Sequence, residues 1–175
     1  MTNLELDSKL FQWGLSIEKT KELIGSGANA NAINHIKQTP LFYTKNLKIA
    51  RLLVENGADV NRLDFYGRTV MHYIQNEKIA EYLISCGIKL NVLDKHNKPA
   101  IYYVDKLNLI NILYASGAIP FTRSHYEIYK SSFKKEQQDI FDICMLLTNN
   151  DDDFFNMCLK YSDNILDVSL KDIDF

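Results

Sequence analysis

An all-helical (all-α) solenoid of stacked units is predicted by three features of the chain. Glycines recur every 30 residues, at Gly27, Gly57, Gly87 and Gly117. The residues ahead of each glycine carry apolar side chains at helical spacing. The composition, 46% hydrophobic and 24% charged over 175 residues, is that of a folded chain and excludes disorder. One period of this length cannot bury its own apolar face, so neighbouring copies must stack.

The chain is predicted to begin with a degenerate helix pair, from Leu4 to Gly27. Three clearer units follow, beginning near Asn34, Asp64 and Asp94. In each of them a short first helix precedes a second helix with one apolar face.

Each clear unit has signals for where its helices begin and end. Thr39-Pro40 opens the first one, because a threonine hydroxyl caps free amide hydrogens and proline is tolerated in the first turn. The closing glycine suits the left-handed position that ends a helix. Between units, Asp64 and Gly67 supply turn chemistry, which predicts a hairpin-like loop.

The most regular stretch of the chain is residues 52–72. It reads Leu-Leu-Val-Glu-Asn-Gly-Ala-Asp-Val-Asn over residues 52–61 and Asp-Phe-Tyr-Gly-Arg-Thr-Val-Met-His over residues 64–72. These residues resemble the ankyrin-repeat family, and the resemblance covers about residues 5 to 120. It implies an ankyrin-repeat solenoid of helix-turn-helix-hairpin units and a function in binding proteins. It also implies that His72 bridges backbone groups of neighbouring loops.

The units depart from the family pattern in three ways. They are shorter than the usual repeat of about 33 residues, which predicts a tight turn between the two helices of a unit. Lys37 and Asn97 replace the loop glycine, and lysine is the less comfortable of the two at positive φ. Tyr43-Thr44, Tyr73-Ile74 and Tyr103-Val104 stand where the family has small residues, which predicts an enlarged core.

Residues 1–120 are predicted to form the stack, and residues 121–175 a helical C-terminal capping region with an acidic tail. Apolar residues between 125 and 148 indicate two helices in that region. Asp151, Asp152 and Asp153 are interpreted as helix caps, with a metal site as the alternative. Residues 163–175 fit either a last docked helix or a segment that binds a partner.

No catalytic residue, cofactor or metal site is predicted. The histidines do not cluster with a nucleophile, and no glycine-rich phosphate loop follows a strand. The three cysteines, Cys86, Cys144 and Cys158, are too widely spaced for a zinc site. We therefore expect that the protein is not an enzyme. The alternative is an unfamiliar active site among Asp139, Asp142, Asp151 and Asp163.

The net charge, the N-terminal residues and the cysteines predict the cellular compartment and argue against nucleic acid and membranes as partners. A net charge of −2 gives no field for holding nucleic acid. The N-terminal residues lack the features of a signal peptide, and no apolar run is long enough to span a membrane. An odd number of separated cysteines indicates thiols in a reducing cytosol. We expect a cytoplasmic monomer that binds neither nucleic acid nor membranes.

Function is expected to reside in a concave face made of loops and first helices. The partner-binding residues predicted there are His35, Ile36, Gln38, Leu63, Phe65, Tyr66, Arg68, Lys95, His96 and Lys98. Apolar, aromatic and arginine side chains at loop tips are typical of interaction sites, so the middle loop is favoured. For Leu63 and Phe65 the alternative is packing against adjacent loops.

The sequence thus predicts a non-catalytic module that binds a protein partner. The module could inhibit that partner, as an immunity protein does, or scaffold it, and inhibition is favoured. The alternative is an adaptor or effector directed at a host cell, with a second binding site in residues 121–175.

Overall fold

The computed structural model describes residues 3–12, 14–119, 122, 126–127 and 135–147. The α-helices within them are α1 (Asn3–Lys9), α2 (Ile17–Gly25), α3 (Leu47–Glu55), α4 (Glu77–Ser85), α5 (Leu107–Ala115) and α6 (Lys135–Leu147). Three further helices are of the 3-10 type: η1 (Pro40–Tyr43), η2 (Val70–Tyr73) and η3 (Ala100–Tyr103). The described residues contain no strand, which confirms the predicted all-α class. They fall into two compact parts, an N-terminal part up to Leu109 and a C-terminal part from Ile110.

The N-terminal part consists of stacked helix pairs. α3 packs between α2 and α4, and η2 packs between η1 and η3. The predicted apolar faces of α3 and α4 are buried. They consist of Ile49, Ala50, Leu53, Ile79, Ala80 and Leu83. Leu41, Met71 and Ile101 of the 3-10 helices are buried as well.

The degenerate N-terminal helix pair is present as α1 and α2. The two helices share a core of their own, in which Leu6, Leu10, Leu23 and Ala28 are buried together. Ser16 caps α2, because its hydroxyl accepts a hydrogen bond from the Lys19 N–H.

The connection between the two helices of a unit is short, as predicted. Three residues join η1 to α3, and Thr44 and Asn46 among them have extended backbones. The first helix is itself a single 3-10 turn of four residues. The shortness of the unit is thus accommodated both in this connection and in the first helix, where one turn requires few residues.

The helix signals are confirmed in part. Pro40 occupies the first turn of η1, but the Thr39 hydroxyl makes no capping hydrogen bond and is buried without a partner in the described part of the chain. The glycines that close the α-helices have positive φ, for example +85° at Gly57. Lys37 and Asn97 also have positive φ, 60° and 56°.

The repeated asparagines tie each unit to the next. Asn31 Nδ2 donates to the Gly57 carbonyl at 2.6 Å, and the Asp59 N–H donates to Asn31 Oδ1 at 2.8 Å. Asn61 repeats this one unit later, with Gly87 at 3.1 Å and Lys89 at 2.8 Å. Each asparagine therefore satisfies two backbone groups at the end of the following α-helix.

His72 is bonded to the start of its own helix and lies beside Tyr103 of the next unit, with 6.0 Å between the ring centroids. Its Nδ1 accepts a hydrogen bond from the Thr69 N–H at 3.2 Å. Its Nε2 is buried and outside strict hydrogen-bond geometry, but the Lys98 backbone of the next loop also acts on the imidazole, in the direction of the expected bridge. Burial lowers the pKa of His72 below its ordinary value. The neutral imidazole is the form that accepts the Thr69 bond.

The C-terminal part contains α6, which lies in the region between residues 125 and 148 where helices were predicted. The Tyr126 and Phe141 rings are buried against each other, with centroids 5.4 Å apart. Asp142 accepts a hydrogen bond from the Tyr126 hydroxyl at 2.9 Å, and Asp139 pairs with Lys135 at 2.5 Å. These two carboxylates thus have local partners. Residues 148–175, which include Asp151, Asp152, Asp153, Asp163 and Cys158, lie outside the described residues.

Loss of the Asn61 side chain is expected to weaken the stack. In Asn61→Ala two hydrogen bonds between units disappear and two backbone groups lose their partners, which costs about 1–2 kcal/mol of unfolding free energy. Urea denaturation followed by circular dichroism measures the difference. Glu81→Ala, which removes an exposed side chain of α4, serves as the control and should stay within roughly 0.5 kcal/mol of the wild type. Equal stability of the two variants would contradict the role of Asn61 in joining the units.

Stability is expected to fall on acidification because of His72. The unfolded chain takes up a proton below the ordinary histidine pKa of about 6.5, while the folded chain resists it because its His72 pKa is lower. The contribution is therefore fully present above about pH 6.5 and is lost as the pH falls from there, by at most about 1.4 kcal/mol per pH unit for one proton.

The measurement is the urea midpoint of the wild type and of His72→Gln at about pH 7.5 and about pH 5.5. The variant should lose less stability between the two pH values, whatever its absolute stability, because all other titrating groups are shared. Identical losses in the two proteins would show that His72 is not the responsible group.

Candidate interaction surface

The predicted loops are compact turns closed by hydrogen bonds. In the middle loop the Asp64 N–H donates to the Arg68 carbonyl at 2.9 Å, and the Gly67 N–H donates to the Asp64 carbonyl at 3.1 Å. Asp64 Oδ1 accepts hydrogen bonds from the N–H groups of Tyr66 and Arg68 at 2.8 and 3.0 Å. This is the turn chemistry expected of an aspartate at the start of a loop.

The same turn recurs in the two flanking loops. Asn34 Oδ1 accepts from the N–H groups of Ile36 and Gln38, each at 3.0 Å. Asp94 Oδ1 accepts from those of His96 and Lys98 at 2.8 and 3.1 Å. The three loops therefore share one backbone shape. We call the surface formed by residues 33–38, 63–68 and 93–98 the loop surface.

Backbone hydrogen bonds also join neighbouring loops. The Phe65 N–H donates to the Ile36 carbonyl at 2.9 Å, and the Lys95 N–H donates to the Tyr66 carbonyl at 2.9 Å. Gly67, with φ of +76°, lies so close to the next loop that a Cβ there would be 3.6 Å from the Lys95 nitrogen. The loop surface is thus a row of turns in fixed register.

A polar cluster lies beneath the middle and last loops. Arg68 Nε donates to Asp94 Oδ2 at 2.8 Å, and the Tyr103 hydroxyl donates to the same oxygen at 2.6 Å. Arg68 Nη2 donates in turn to the Tyr103 hydroxyl at 2.6 Å. The Asp94 side chain is fully buried by these contacts, whereas that of Arg68 keeps 20% of its surface exposed.

The cluster keeps both members of the ion pair charged. Burial would raise the pKa of Asp94, but the hydrogen bonds from Tyr103 and Arg68 outweigh it and hold that pKa far below its usual value. Burial likewise opposes the charge on Arg68, and the bond to Asp94 outweighs it, so the Arg68 pKa is raised. Burial and the Asp94 bond together raise the pKa of Tyr103.

A related cluster lies one unit earlier without an ion pair. The Tyr73 hydroxyl donates to Asp64 Oδ2 at 2.6 Å, and Gln38 Nε2 donates to the same oxygen at 3.2 Å. Burial and the bond to Asp64 raise the pKa of Tyr73 to about 12. Asn34 Nδ2 donates to the Tyr43 hydroxyl at 2.7 Å.

The prediction of an enlarged core is therefore wrong for the repeated tyrosines, whereas Thr44, Ile74 and Val104, which follow them, are buried. Tyr73 is exposed, and Tyr43 and Tyr103 are half-buried. Each hydroxyl reaches the turn residue nine positions earlier, which places the ring beside the loops instead of between the helices.

The residues predicted to bind a partner differ in exposure. Six of the ten are exposed: His35, Leu63, Phe65, Tyr66, Lys95 and His96. Ile36, Arg68 and Lys98 are half-buried, and Gln38 is buried in the cluster around Asp64. Leu63 and Phe65 are 44% and 52% exposed, so neither is buried against an adjacent loop.

Exposed aromatic rings form a continuous band over the loop surface. Phe65 and Tyr66 meet edge to face, with centroids 5.5 Å apart. The Arg68 guanidinium carbon lies 5.6 Å from the Tyr66 ring, 5.8 Å from the Tyr73 ring and 4.5 Å from the Tyr103 ring. Tyr102 follows, 5.2 Å from Tyr103. We call Phe65, Tyr66, Tyr73, Tyr102 and Tyr103 the aromatic strip.

Sequence reasoning missed three members of this strip, Tyr73, Tyr102 and Tyr103, which all belong to 3-10 helices. Tyr73 and Tyr102 are 37% and 47% exposed, although Tyr73 was expected to enlarge the core. The signal was the short spacing between the two helices of a unit. A helix of a single turn has only one side packed against the core, so consecutive aromatic residues at its end cannot all be buried.

Two lysines lie over rings of the strip. Lys95 Nζ is 3.9 Å from the Phe65 ring centroid, and Lys98 Nζ is 4.9 Å from that of Tyr102. Ammonium groups at these distances are attracted by the negative face of an aromatic ring. The two acidic residues of the same loops, Asp64 and Asp94, are 5% and 4% exposed.

Other kinds of site have little support in the described part of the chain. A cavity of about 260 Å³ is lined by residues of α2, η1, α3 and the segments that precede α2 and α3, and its lining has no carboxylate or imidazole. Within the described ranges no group of His, Cys, Asp or Glu has the arrangement of a metal site. Among the described helices, none has the length and hydropathy of a membrane span.

Comparison with known proteins agrees with the repeat pattern. Residues 12–94 match the family model for ankyrin repeats, in three copies. No curated protein matches the chain. The match contains the regular stretch at residues 52–72 and most of the loop surface. Residues 12–94 of this chain are a stack of ankyrin repeats, a fold that serves as a protein-interaction module.

Proposed function

We propose that this ankyrin-repeat protein binds its partner through the loop surface and the aromatic strip. The exposed rings of Phe65, Tyr66 and Tyr102 carry the proposal, because aromatic side chains around an arginine are typical of interaction hot spots. Rings left in water in such a group are costly unless a partner covers them.

The rigidity of the strip supports the proposal. The loops that carry it are closed by backbone hydrogen bonds and joined to one another at 2.9 Å. Arg68, which touches three of the rings, is fixed by Asp94 and Tyr103. Side chains that are already ordered lose less conformational entropy on binding.

We also propose that the protein acts as a non-catalytic inhibitor of its partner, in the manner of an immunity protein. The titratable groups beneath the loop surface are engaged in structural bonds, as Asp64 and Asp94 illustrate. A module that covers part of its partner can block the partner's activity without any chemistry of its own. The free thiol of Cys86 supports a reducing compartment, and we propose a cytoplasmic monomer.

Binding is expected to depend on the two exposed rings of the middle loop. Replacing both in Phe65→Ala/Tyr66→Ala removes contact area at the centre of the surface and should weaken partner binding by more than about 1.4 kcal/mol, that is tenfold. The melting temperature should change little, because Phe65 and Tyr66 are half-exposed. Leu4→Ala, which removes an 81% exposed apolar side chain of α1, is the matched control.

The measurement starts with affinity capture from the native lysate by the wild type, the double variant and Leu4→Ala. A protein retained by the wild type and the control but lost with the double variant is then titrated by calorimetry. Its own activity, with and without this chain, tests inhibition. Equal capture by all three proteins would place the binding site elsewhere.

Arg68→Ala is expected to act on stability. The substitution leaves the buried Asp94 carboxylate without its cation and removes a bond to Tyr103, which costs about 2 kcal/mol of unfolding free energy. Thermal or urea unfolding measures the loss, and Arg62→Ala, an exposed arginine of the same region, is the control. If both variants are as stable as the wild type, the Arg68 cluster has no structural role, and Arg68 is then available to a partner alone.

A further inference from the structure

The exposed charge of the loop surface is positive. Four cations belong to it: Lys37, Arg68, Lys95 and Lys98. Its two acidic residues, Asp64 and Asp94, are buried and accept hydrogen bonds from within the protein. His35 and His96 add exposed N–H donors. The loop surface is thus a basic face on a protein with a net charge of −2.

Cation and ring are paired in space on this face. Lys95 Nζ lies 3.9 Å above the Phe65 ring, and Phe65 lies edge to face with Tyr66. A carboxylate that approaches Lys95 therefore arrives beside apolar ring surface. Lys98 over Tyr102 repeats the arrangement at the next unit, with 4.9 Å between them. The face offers charge and apolar contact in alternation.

From this juxtaposition we infer that the segment of the partner bound here is acidic, with Asp or Glu side chains next to apolar or aromatic ones. The inference rests on the proposed function and specifies its partner chemistry. The carboxylates pair with Lys95 and Lys98, while the apolar side chains cover Phe65 and Tyr66. Opposite charges of this kind also steer a partner toward the face before contact.

A single-stranded nucleic acid is the other class of anion that aromatic and basic residues attract. It needs open ring faces on which bases stack. Here one face of Phe65 and one face of Tyr102 are covered by lysine ammonium groups. The rings also meet their neighbours edge to face, with 87° between Phe65 and Tyr66. An acidic peptide uses such covered rings better than a stack of bases does.

The test is selection from a random peptide library displayed on phage, with the full-length chain as bait. Selected peptides are made with a fluorescent label, and their binding is measured by anisotropy. We expect peptides that combine Asp or Glu with apolar residues. Lys95→Gln/Lys98→Gln should weaken them roughly three- to tenfold, and raising salt from roughly 50 to 500 mM should weaken them as well. Lys48→Gln/Lys78→Gln, on exposed positions of α3 and α4, should not.

The outcomes separate this inference from the proposed function. Selected peptides without acidic residues, lost with Phe65→Ala/Tyr66→Ala, overturn the inference and leave the proposed surface in place. Peptides unaffected by either double variant overturn both. A library that yields no enriched peptide also overturns the inference, while capture from the lysate still tests the surface. A labelled oligothymidine that binds more tightly than the peptides, and is lost in the lysine variant, assigns the face to nucleic acid instead.

Discussion

The turn carboxylates Asp64 and Asp94 each join three parts of the molecule. One oxygen closes the loop by accepting two backbone N–H groups. The other accepts a tyrosine hydroxyl from the 3-10 helix nine residues later, together with a side chain from the preceding loop. Loop shape, helix placement and the spacing between units are therefore coupled at one side chain, and a change in any of them disturbs the other two.

This coupling explains how units of 30 residues remain ordered with so short a first helix. A 3-10 turn of four residues contributes little stability of its own. The tyrosine hydrogen bond and the buried residue ahead of it, as with Tyr73 and Met71, hold the turn in place from both sides. The cost of this solution is that aromatic rings remain outside the core, and the aromatic strip is what they form.

The sequence predicted the period, the helices and the closing glycines correctly, because these depend on local chemistry that repeats. The role of Asn31 and Asn61 in joining the units was not predicted, since the partners of Asn31 lie 26 and 28 residues away. Gln38 and Arg68 were predicted to lie on the binding surface, because their partners Asp64 and Asp94 are also 26 residues away and belong to the next unit. A pattern identifies equivalent positions, but it does not show that a long side chain reaches into the next unit.

Gln38 and Arg68 occupy equivalent positions, and their difference sets the middle of the stack apart. Gln38 gives Asp64 a neutral partner, whereas Arg68 gives Asp94 a cation that also attracts three tyrosine rings. The rings of Tyr66, Tyr73 and Tyr103 therefore lie around the Arg68 guanidinium. Since the guanidinium is fixed from below by Asp94, the rings around it are ordered before any partner arrives. Arg68 thus has a structural role beneath the surface proposed for recognition, while the Phe65 and Tyr66 rings lie exposed upon it.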